Sequence, residues 1–130
     1  MRNNKWLYIN TTLLMISCIY LLSCTHNTQE QVQPAISFST DITPILQASC
    51  IINSSCHSGA INSGANINFD SGAAYACIQA KQLVMVNNPT ASLLYVEVNT
   101  GIMPKAPYTH LSTTDINNLL TWIKQGAKNN

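Results

Sequence analysis

Behind an apolar leader, hydrophobic residues recur at helical spacing in four places, with polar, Gly- and Asn-rich chain between them. The first group is Ile42, Ile45, Leu46 and Ser49, which share one face by i, i+3, i+4, i+7 spacing and deliver Cys50 to its end. Ser39 or Thr40 is placed to cap this helix, and Pro44 is tolerated in its first turn. A second helix, capped by Asp70, is expected through Ala73, Ala74, Tyr75, Cys77 and Ile78. Asn87-Asn88-Pro89 stops and restarts the chain before a third helix from Thr90 to Val98. On propensity alone, Leu93 to Val98 suits a strand equally well. The last helix has the plainest signature. Ser112 to Asp115 forms an Asp version of the capping box, Ile116, Leu119, Leu120 and Ile123 make the buried stripe with Trp122 on its flank, and Gly126 ends it. The predicted fold class is all-α, three to four short helices joined by long loops, with little strand.

The ends change the picture. Arg2 and Lys5 precede a mostly apolar run from Leu13 to Leu22, and Leu21-Leu22-Ser23-Cys24 has the form of a bacterial lipobox. Residues 1–23 are therefore expected to be a lipoprotein signal peptide, with Cys24 the lipidation site. The alternative, a membrane span from Trp6 to Leu22, is shorter than the about 20 apolar residues a bilayer needs and is broken by Asn10, Thr11 and Thr12. Residues 24–35 read as a Gln-rich flexible tether and 36–130 as the folded domain. Localisation follows as lipid-anchored to a bacterial cell membrane or outer membrane, periplasmic or surface-facing. Beyond Cys24, four lysines face five acidic residues, so nothing resembles the basic footprint of a nucleic-acid binder.

The candidate chemistry lies in Cys50-Ile51-Ile52-Asn53-Ser54-Ser55-Cys56-His57. Two thiols followed at once by an imidazole can bond both vinyl groups of a haem and place a nitrogen on its iron. His57 is the candidate proximal ligand. Met103, in the rigid Gly101-Ile102-Met103-Pro104 stretch, is the candidate distal ligand, with Met85 and His110 as substitutes. The spacing departs from Cys-x-x-Cys-His, since five residues separate the thiols. Either Cys50 and Cys56 both join haem and leave Cys77 free, or Cys56 alone does so while Cys50 pairs with Cys77. Leu46, Ile67, Leu94, Leu120 and Trp122 are expected to wall the cofactor from water.

Several stretches together resemble the short c-type cytochrome domains of Bacteroidota lipoproteins. They are Ile42-Thr43-Pro44-Ile45-Leu46, then Cys50 with Cys56-His57-Ser58-Gly59, then Pro89-Thr90-Ala91-Ser92-Leu93-Leu94. Met103-Pro104 and Leu111-Ser112 through Trp122-Ile123-Lys124-Gln125-Gly126-Ala127 complete the order, so the resemblance spans Phe38 to Ala127. It implies a cytochrome c-like domain wrapped around one covalently attached haem c, with Cys50, Cys56, His57 and Met103 as its cofactor-binding residues. The expected activity is single-electron transfer between redox proteins by a membrane-tethered monomer, not catalysis. A competing reading is a haem-free lipoprotein with a Cys50–Cys56 or Cys50–Cys77 disulfide, serving as a binding or scaffold module. A third is a haem peroxidase or gas sensor with one open axial position.

Overall fold

The computed structural model describes residues 33–52, 56–59 and 66–130. The leader, Cys24 with most of the tether, and much of the Ser58–Asn68 loop lie outside the described residues. Pro34–Asn130 clusters as one unit, and among its described residues there are four α-helices and no strand.

Helix α1 (Thr43–Ser49) is entered through one wide π turn, Phe38–Ile42. In a continuous α-helix the Pro44 ring would press on the Thr40 carbonyl. The wider turn instead sends the Ile42 and Thr43 N–H groups five residues back, to the carbonyls of Ser37 and Phe38. Ser37 caps it, not Ser39 or Thr40. Its Oγ accepts from the Thr40 N–H at 3.4 Å, while the Asp41 carboxylate accepts the Ser37 N–H at 2.7 Å, a reciprocal box.

Helix α2 (Ala74–Ala80) begins without a side-chain cap. Asp70 gives it only a backbone carbonyl, accepting from Ala73 and Ala74, because its carboxylate is taken by the Gly59 N–H at 2.8 Å. Helix α3 (Leu93–Asn99) starts later than its sequence pattern predicts, since Pro89–Ala91 forms a 3-10 turn and Ser92 is extended. The helix-or-strand ambiguity resolves as helix. Leu94 and Val98, four residues apart, are both buried, whereas Leu93 is exposed. Helix α4 (Thr113–Lys124) carries the expected cap: Ser112 Oγ accepts the Asp115 N–H at 3.1 Å and donates to the Asp115 carboxylate at 2.7 Å.

The core is one cluster drawn from the π turn and all four helices. Ile42, Leu46, Ile78, Leu119, Trp122 and Ile123 are almost wholly buried. Trp122 is central and not flanking. Its ring lies 5.2 Å from Phe38, and its indole N–H donates to the Lys128 carbonyl at 2.8 Å, which satisfies the polar atom that burial would otherwise strand. Gly126, at φ +100, takes the left-handed turn that ends α4.

Ser92 is the one buried polar residue among those described, and it explains why a serine stands in Pro89-Thr90-Ala91-Ser92. Its Oγ accepts the Met85 N–H at 2.8 Å, and next to it the Leu94 N–H donates to the Leu83 carbonyl at 3.0 Å. These bonds fasten the segment after α2 to the start of α3. Ser92→Ala should leave the Met85 N–H unsatisfied and cost about 1–3 kcal/mol, read from denaturant unfolding, with secondary structure unchanged by circular dichroism.

Candidate functional site

Cys50 follows directly from the last turn of α1, its N–H donating to the Leu46 carbonyl at 2.9 Å. The chain returns to it at once. The His57 N–H donates to the Cys50 carbonyl at 3.0 Å, so the loop between the two thiols is closed by a backbone hydrogen bond. The His57 carbonyl in turn accepts the Phe69 N–H at 2.8 Å, and the two rings lie 5.2 Å apart, tilted by 52°. His57 Nδ1 is buried. The Phe69 carbonyl accepts from the Gln47 side-chain amide at 2.7 Å, which ties this strap back to α1.

Met103 arrives from the other half of the chain. Helix α3 ends at Thr100, Gly101 turns through φ +73, and the Met103 N–H donates to the Glu97 carbonyl at 3.0 Å. The loop is tight at Gly101. A Cβ there would stand 2.7 Å from the exposed His110 imidazole, which would have to shift to admit it.

Cys50, Cys56, His57 and Met103 all line one cavity of about 470 Å³. Its walls are largely apolar, from Ile67, Phe69, Leu83, Leu94, Val98 and Pro104, with Ile52 and Leu93 partly exposed and Glu97, Lys105 and Tyr108 also lining it. Of the alternative distal ligands, Met85 is exposed and away from the cavity, and His110 lies against Gly101 in a separate, more polar cleft with Ser112 and Asp115. Of the five residues expected to form the wall, Ile67 and Leu94 do so. Leu46 and Trp122 instead belong to the sealed core, and Leu120 is half-buried outside the cavity. Phe69, Leu83 and Val98 complete the wall without having been expected there. Val98 has a usable signal, one helical turn beyond Leu94 on the same face, whereas Phe69 and Leu83 lie in irregular chain where periodicity says nothing.

Burial, reinforced by the nearby Cys56, pushes the Cys50 thiol up from 9.0 to about 12, so it stays protonated across the physiological range. Cys50, Cys56 and Cys77 are all free thiols, and Cys77 Sγ accepts the Asn68 N–H at 3.2 Å, outside the cavity. Among the described residues, no group of three or more His, Cys, Asp or Glu side chains is gathered to chelate a bare metal ion. What the cavity does gather is one imidazole and one thioether with two thiols beside them. That donor set suits an iron whose remaining ligands come from a flat macrocycle that also bonds sulfur.

The chain matches no protein-family model, no curated protein and no solved structure.

Two measurements probe this geometry in the unmodified chain. Iodoacetamide should label Cys50 only slowly at about pH 8, as mapped by peptide mass, and faster as the pH climbs toward its raised value of about 12. Gly101→Ala should lower the unfolding free energy by about 1–2 kcal/mol, through the left-handed backbone and the His110 clash together. The Gly101→Ala, His110→Ala double variant should recover part of that loss.

Proposed function

We propose that this chain is a lipid-anchored monohaem c-type cytochrome that carries single electrons between periplasmic or surface redox partners. One observation carries the reading: Cys50, Cys56, His57 and Met103, which come from two distant stretches of sequence, line the same largely apolar cavity, whereas Met85 and His110 do not. The all-α domain would then be cytochrome c-like, and Cys24, ahead of the tether, would bear the lipid. Among the described residues no helix is long and apolar enough to cross a membrane.

In this reading Cys50 and Cys56 would hold haem c through their sulfurs, and His57 and Met103 would supply a nitrogen and a sulfur to its iron. The haem contributes a reversible one-electron iron couple. The chain does the rest. Ile67, Phe69, Leu83, Leu94 and Val98, the apolar lining of the cavity, would keep water from the iron and so limit reorganisation when its charge changes. A thioether in place of a second imidazole favours the reduced iron and raises the potential.

The test is expression of the full chain with a haem-attachment system. The purified protein should be red, heavier than the lipidated polypeptide by one haem, and low-spin in both oxidation states. His57→Ala should abolish the low-spin spectrum. Met103→Ala should remove it or lower the potential, while Met85→Leu and His110→Ala leave the axial bands in place. Mass after Cys50→Ala shows whether Cys56 alone retains haem. A colourless product of bare polypeptide mass would end the proposal.

A further inference from the structure

We propose that Phe69 is a positioning residue for the His57 imidazole, and that Asp70 and Gln47 fix where Phe69 stands. This rests on the reading of His57 as an iron ligand. The segment around His57 and the segment around Phe69 run side by side and are cross-linked twice, by the Phe69 N–H to the His57 carbonyl at 2.8 Å and by the Gly59 N–H to the Asp70 carboxylate at 2.8 Å. A third bond holds the strap from the α1 side, the Gln47 amide to the Phe69 carbonyl at 2.7 Å. Within the strap the Asn68 side chain accepts the Asp70 N–H at 2.8 Å. Phe69 is 3% exposed, so its ring has little room to swing, and it lies 5.2 Å from the imidazole at a 52° tilt.

An imidazole joined to its backbone through two rotatable bonds has a wide choice of planes. Here one side of that choice is occupied by an aromatic ring whose own backbone is bonded on both faces. The plane of an axial imidazole, relative to the macrocycle nitrogens, orders the iron d orbitals. That order is read directly from the electron paramagnetic resonance of the ferric protein and from the spread of the haem-methyl proton shifts. Filling space is a different role for Phe69, and it would show in melting temperature alone.

The experiment uses the full-length haem protein and its variants at these positions. Phe69→Leu keeps an apolar side chain at the wall, Asp70→Ala removes the acceptor of the Gly59 N–H, and Asp70→Asn restores an acceptor oxygen. The expected result is full haem content and low-spin bands in all three. Phe69→Leu and Asp70→Ala should redistribute the haem-methyl shifts and change the ferric g-anisotropy, and Asp70→Asn should return both toward wild type. Gln47→Ala should shift the pattern in the same sense, and carries the test should Phe69→Leu not fold. Unchanged spectra across the variants, with only the melting temperature lowered, would overturn the positioning role while leaving the cytochrome reading intact. A wild-type chain that takes up no haem overturns both.

Discussion

Phe38 packs its ring 5.2 Å from both Tyr75 and Trp122, and so joins the entry to α1, helix α2 and helix α4 at one point. Those elements are far apart in sequence, and each is too short to hold itself in water. An edge-on contact to Tyr75 and a tilted one to Trp122 give aromatic geometry as well as buried area. Hydrogen bonds then finish what packing begins. The Tyr75 hydroxyl donates to the Ala127 carbonyl, and Asn130 accepts the Phe38 N–H through its side chain and the Ser39 N–H through its backbone. The beginning and end of the domain are thereby locked to one another. Everything on the other side of α1 is free to be something else.

That other side is the cavity. The π turn and helix α1 bury Ile42, Ile45 and Leu46 in the core that holds the aromatic cluster, while Ser49 and Cys50, at the end of α1, line the cavity. Helix α3 does the same in mirror fashion: Leu94 and Val98 bridge core and cavity wall, and the Glu97 carbonyl anchors the loop that brings Met103. The candidate ligands His57 and Met103 are thus presented by irregular chain, but that chain is pinned by backbone hydrogen bonds to the end of one helix and to another. For the proposed electron carrier this division would suit, because an iron centre held there would need surroundings that change little between its two charge states.

What the sequence could reveal followed from period and capping. Helix α4 and the delivery of Cys50 by α1 were legible because the side-chain spacing of Ile42, Ile45 and Leu46, or of Ile116, Leu119 and Ile123, suits a helix and little else. Candidate ligands were legible from local order, a thiol next to an imidazole and a thioether between glycine and proline. Competition between acceptors was not. Asp70 was an apt cap for α2, but the Gly59 N–H, eleven residues earlier in the chain, takes its carboxylate. Ser37 won over Ser39 and Thr40 because of where Asp41 stands, and Trp122 proved central because Phe38 comes to meet it. The Asp70 and Trp122 outcomes depend on contacts between separate segments, which a one-dimensional pattern does not carry.

The irregular thiol spacing has the same kind of answer. A regular motif fixes the imidazole beside the first thiol by brevity, with only two residues to cross. Here a backbone hydrogen bond from His57 to the Cys50 carbonyl fixes it instead, whatever the length of chain between them. Lengthening a flexible loop costs only about 0.6 kcal/mol per doubling, so five residues in place of two adds roughly 1 kcal/mol of closure entropy. One backbone hydrogen bond contributes about as much. The extra residues therefore need not separate the two sulfurs. In the proposed cytochrome the two ends of the motif, Cys50 on one side and Cys56-His57 on the other, line a common cavity.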